Sequence, residues 1–209
     1  YNQSDNTVTM TNVHVPEYCV MNFKPGTYTL TIDPNGGYRA SDNDSSIMKV
    51  NYQYGHVETI TERKKDGYTL IGYEMFNTDT GSADDVKGSK FEFDSSTNIG
   101  TFTQGAANIT LKATWGTDTY KVTLDNQGAT TAGTAEVYYQ YNTTNTINGV
   151  TCYYYTNATL KTCVTNGTTI TVPTKAGYTF DGYYTEVNGG GTQYVNASGT
   201  FINNIYKTT

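Results

Sequence analysis

Gly177-Tyr178-Thr179-Phe180-Asp181-Gly182-Tyr183 occurs upstream as Gly67-Tyr68-Thr69-Leu70-Ile71-Gly72-Tyr73, with five of seven positions identical. Alternation predicts an extended strand with Tyr178 and Phe180 on one face and Thr179 and Asp181 on the other. Gly182 predicts a bulge or a close backbone approach. Working outward, Tyr28–Gly37 matches Tyr120–Ala129, and both alternate before stopping at an Asp and a Gly-rich turn. Val50–Gly55 matches Val137–Asn142, and Gly100–Phe102 matches Gly199–Phe201. The four offsets are 92, 87, 110 and 99 residues, so the order is kept while the connecting loops differ in length. Collinear matches of this kind predict a tandem duplication.

The landmarks divide the chain into a leader over 1–26, a first module over 27–116 and a second over 117–209. Asn6–Met10 and Cys19–Phe23 are expected as short strands in or beside the leader. The first module closes on the alternating stretch Ile109–Trp115. Thr209 corresponds to Thr110, so the second module is expected to stop short of its closing strand. One core is predicted from Tyr68, Leu70, Phe102, Leu111 and Trp115, the other from Tyr178, Phe180 and Phe201.

Composition agrees with a mainly β chain having little or no helix. There are 20 Tyr and 21 Gly, and only 15% of residues are charged. Thr, Tyr and Val suit a pleated, half-buried surface, and good helix formers are scarce. A net charge of −6 argues against nucleic-acid binding. No apolar run approaches the roughly 20 residues that cross a bilayer, so no membrane insertion is expected.

These landmarks resemble the Listeria–Bacteroides repeat, the module also seen as the B-repeat of listerial internalins. The resemblance rests on Asp33–Gly37, Tyr54-Gly55, Gly67–Thr69, Gly72-Tyr73 and Leu111–Trp115 in the first copy, and on Pro173–Tyr184 in the second. Tyr73 and Tyr183 stand where that family often has Trp. Asn126–Ala129 departs from its Asn-Gly-Gly turn, and the second closing motif is missing. The resemblance implies two tandem β-grasp-like modules of an extracellular bacterial surface protein. They would act without catalysis as spacer or stalk and in adhesion. It implies no cofactor, and as partners neighbouring repeats and host or matrix proteins or glycans.

Candidate sites are few. Cys152 and Cys163 bracket a hairpin expected to turn at Asn157-Ala158, which sets them opposite each other for a disulfide. Reduced, half-buried thiols are the alternative. Tyr138, Tyr139, Tyr141, Tyr153, Tyr154 and Tyr155 are too dense for all their rings to be buried by simple alternation. They form the candidate binding patch of the alternative function, a carbohydrate- or protein-binding module. Asn77, Asp79, Gly81, Asp84 and Asp85 space oxygens as calcium loops do, but Asn, Asp and Gly also serve turns. No metal site is expected, and with only His14 and His56 for a triad neither is an enzyme.

Overall fold

The computed structural model describes residues 21–208. The first half contributes β1 (Thr27–Asp33), β2 (Tyr38–Arg39), β3 (Met48–Gln53), β4 (Val57–Ile60), β5 (Arg63–Lys64), β6 (Tyr68–Asn77), β7 (Lys90–Asp94), β8 (Ile99–Thr103) and β9 (Ile109–Thr117). The second half contributes β10 (Thr119–Thr123), β11 (Glu136–Gln140), β12 (Asn145–Ile147), β13 (Val150–Cys152), β14 (Gly182–Tyr184) and β15 (Gln193–Asn196). The only helical pieces among the described residues are single 3₁₀ turns at Val187–Gly189 and Ile205–Lys207. The chain is mainly β. No described helix is long and apolar enough to cross a membrane.

In the first half β1 runs down the middle of a mixed sheet ordered β3-β1-β9-β6. It is antiparallel to β3 and parallel to β9, with Leu30 beside Ile109 and Ile32 beside Leu111. A three-stranded sheet, β4-β8-β7, carries Ile60, Phe91 and Phe102 into the same core. Leu30, Phe102, Ile109 and Leu111 are fully buried there, each stabilising the fold by about 1.5–3 kcal/mol relative to exposure. Thr31, on the opposite face of β1, is also nearly buried, which explains why this central strand does not show a simple inside–outside alternation.

The second half builds another core from Leu124, Val137, Tyr139, Tyr154, Val164, Ile170, Val195 and Phe201. Its strands form only pairs: β10 with β11, β12 with β13, and β14 with β15. Among the described residues no strand lies between β10 and β14, the place β9 takes between β1 and β6.

That difference corrects part of the predicted core. Leu70, Phe102, Leu111 and Phe201 are buried, and Tyr68 and Trp115 are half-buried. Tyr178, however, is 74% exposed and Phe180 is only half-buried. In β6, Leu70 is held opposite Trp115 of β9. The matching stretch Tyr178–Asp181 has no such neighbour, and strand begins only at Gly182. The expectations at Asn6–Met10, His14 and Cys19 lie outside the described residues, and Met21–Phe23 is not strand.

Candidate functional site

Lys65-Asp66-Gly67-Tyr68 makes the corner that leads into β6. Gly67 takes φ +78°, a left-handed conformation that Gly adopts at little cost, and Tyr68 N–H donates to the Lys65 carbonyl at 3.0 Å. The Lys65 ammonium then lies 4.5 Å from the Tyr68 ring centre and 5.9 Å from the Trp115 ring, and donates to the Asn35 carbonyl at 3.3 Å. A cation on ring faces with one carbonyl acceptor is a favourable, partly desolvated arrangement. Asn35 belongs to the turn that ends β1. Asn35 and Gly36 both have positive φ, and Gly37 N–H donates to the Pro34 carbonyl at 2.9 Å, as in a type I′ turn. Trp115 Nε1–H donates to the Pro34 carbonyl, and Asn35 Nδ2 donates to the Ala113 carbonyl, so the turn is tied to β9.

The aligned residues of the second half repeat this construction. Gly177 also has φ +78°, and Tyr178 N–H donates to the Lys175 carbonyl at 3.0 Å. The Lys175 ammonium sits 5.0 Å from the Tyr178 ring and donates to the Gln127 carbonyl at 3.1 Å. Gln127 and Gly128 have positive φ, and Ala129 N–H donates to the Asn126 carbonyl. Asp33 and Asp125 each accept the N–H two residues ahead, at 2.8 and 2.9 Å. Where β9 lies in the first half, the second has an open groove of roughly 820 Å³, lined by Leu124, Asn126, Lys175, Phe180, Tyr183 and Tyr194 among others. The Tyr183 hydroxyl crosses this groove to Asn126 Oδ1 at 2.5 Å. Burial, and next the nearby Asp125 charge, raise the Tyr183 pKa.

Cys152 and Cys163 are joined as a disulfide with Cα atoms 5.4 Å apart. The register differs from the expected one. Cys163 bridges to Tyr155, and Cys152 pairs with Asn145 in the β12–β13 hairpin. The turn between the cysteines is displaced to match: Thr156 N–H donates to the Thr162 carbonyl and Leu160 N–H to the Asn157 carbonyl, which centres it past the expected Asn157-Ala158.

The six-tyrosine patch is corrected, because the rings do not share a surface. Tyr139, Tyr154 and Tyr155 are buried. Tyr154 stacks on Phe201 at 3.8 Å between ring centres, and the Tyr155 hydroxyl donates to the Cys152 carbonyl. Burial pushes the Tyr154 hydroxyl pKa up. Tyr138 turns outward to donate to Glu136, Tyr141 packs on Tyr68, and Tyr153 packs on Tyr206. Alternation misjudged the density because residues 153–155 are not a regular strand, so the adjacent Tyr154 and Tyr155 are both buried.

The calcium-like stretch is occupied by its own hydrogen bonds. Asn77 Oδ1 accepts Asp79 N–H, Asn77 Nδ2 donates to Asp85, and Asp79 accepts from Asn108 Nδ2. Among the described residues no group of three His, Cys, Asp or Glu is placed to hold a metal ion. His56 stacks on Tyr52 beside Glu58. The groove was foreshadowed by two signals in the sequence: Pro173–Tyr184 matches β6, and no second stretch matches Ile109–Trp115. Comparison of the chain with family models, with curated proteins and with solved structures gives no match in any of the three.

Proposed function

We propose that the chain is a non-catalytic repeat region of a secreted or cell-surface bacterial protein, in which two copies of one β module act as a spacer and present an adhesive surface. The observation that carries this reading is the recurrence of the lysine–tyrosine corner and its clamped turn in two successive halves. The halves meet through a short joint. Asp118 N–H donates to the Gly67 carbonyl, Thr69 Oγ1 donates to Asp118 Oδ1 at 2.6 Å, and Tyr141 packs edge-on against Tyr68. A joint held by hydrogen bonds and an aromatic contact transmits orientation from one module to the next, as a stalk requires. Host or matrix proteins or glycans remain the partners this role calls for.

Location on the cell is the part most directly tested. Antibodies against the chain should label intact cells of its source, and brief protease treatment of those cells should release the epitope. Labelling only after lysis would overturn the reading.

A further inference from the structure

We infer that the groove between β10 and the Tyr178–Tyr184 segment is a strand-acceptor site, which takes a separate extended segment patterned like β9 and closes the second module as β9 closes the first. The inference rests on the two-copy reading above.

The first module supplies the register. β9 lies parallel to β1, with Leu111 beside Ile32, and antiparallel to β6, with Ala113 opposite Tyr73 and Trp115 opposite Leu70. Transferred by the sequence correspondence, the guest runs parallel to β10. Its first inward residue lies beside Val122 and its second beside Leu124, while its small residue faces Tyr183 and its last apolar residue faces Phe180. Val122, Leu124, Phe180, Tyr183 and Phe201 line the groove, so the guest's apolar face has an apolar floor. Charge fits on one side. Lys112 of β9 lies beside Asp33 and opposite Glu74; in the second module Asp125 keeps the first of these places, while Tyr184, whose hydroxyl donates to Asp181, takes the second. Main-chain pairing along two free edges would supply affinity, and alternate side chains would supply specificity.

Two residues tune what enters. A Cβ placed on Gly37 would meet Trp115 Cζ2 at 2.3 Å, and Ala129 carries such a Cβ at the matching position. The preferred guest therefore ends in a residue smaller than Trp. Tyr183, bonded across the groove to Asn126, must swing aside for the strand to seat.

The test titrates the whole chain with synthetic peptides while backbone amide shifts are followed by NMR. The probe is the sequence Asn108–Thr117, used unchanged, with Leu replacing Trp115, and N-methylated at alternate residues. The unmodified peptides should bind saturably, shifting Val122, Leu124, Phe180 and Tyr183, and the Leu form should bind more tightly. N-methylation keeps the side chains but blocks strand pairing, and should weaken binding by about tenfold or more. Ala129→Gly should tighten the Trp peptide several-fold and leave the Leu peptide unchanged, a readout that loss of folding cannot imitate. Tyr183→Phe should tighten both.

Equal binding of the N-methylated peptide, or shifts confined elsewhere, would overturn the inference. So would a self-associated chain that the peptide does not dissociate, since a second copy would then hold the groove. If the free chain keeps NMR contacts between Lys175 and Tyr178 but binds nothing, the acceptor site fails and the two-copy reading stands. If those contacts are missing, the two-copy reading fails first.

Discussion

Gly67 and Gly177 share φ +78°, yet their surroundings differ sharply. A Cβ on Gly177 would meet nothing within 4 Å, whereas one on Gly67 would lie 2.2 Å from the Tyr141 ring. Gly177→Ala should cost only the conformational penalty of the left-handed region, about 1–2 kcal/mol. Gly67→Ala should cost more and also dislodge Tyr141 from the joint, which urea denaturation of the paired variants would show. At Tyr52 the relevant property is acidity. Its hydroxyl donates to Glu58 Oε2, and burial together with that bond raises the Tyr52 pKa to about 12. The same bond is the largest cause of the lowered Glu58 pKa. Glu58 thus adds stability that is present above its unfolded pKa of about 4.3 and is lost as pH falls through the lower folded value. Tyr52 adds stability that is complete below about pH 10 and is lost as pH rises through its raised folded value. Tyr52→Phe should shift the acid midpoint of unfolding upward and weaken the pH dependence on the alkaline side, measured by circular dichroism across pH.

Strands that carry their own stop signals could be read directly. β1 and β10 alternate and then meet Asp33–Gly37 and Asp125–Ala129, where Asx hydrogen bonds and positive φ fix the turn locally. Partnership could not be read in the same way. The parallel β1–β9 pairing joins residues about 80 positions apart, and nothing local in either strand names the other. Tyr178–Asp181 shows the consequence. Its letters match a strand, but without a neighbour its rings stay exposed or half-exposed. The six-tyrosine patch failed for a related reason, since an irregular backbone buried consecutive rings that alternation would separate. Because β9 is central, Leu111→Ala should destabilise the first module by about 2–5 kcal/mol, read by thermal or chemical denaturation. The Cys152–Cys163 link, with a sequence separation of 11, closes a short loop in the second half. Reducing it should lower the stability of that half by about 3 kcal/mol and leave the melting of the first half unchanged.

At the scale of the molecule, the two cores share no residue, one drawn from Leu30 to Leu111 and the other from Leu124 to Phe201. Between them β9 ends at Thr117 and β10 begins at Thr119, leaving Asp118 to bond to the Gly67 corner on one side and to Tyr141 on the other. The same corner that enters β6 in the first module is therefore also the seat of the joint. In the second module its counterpart at Gly177 is solvent-exposed, which leaves that corner accessible to a further contact. A spacer needs this joint to hold one orientation. Residual dipolar couplings of backbone amides, fitted separately for residues 27–116 and 119–208, test that requirement directly. The predicted result is one alignment tensor shared in magnitude and direction by both modules, lost in Gly67→Ala. Tensors of clearly different magnitude in the native chain would mean that the modules tumble independently, and would contradict the stalk.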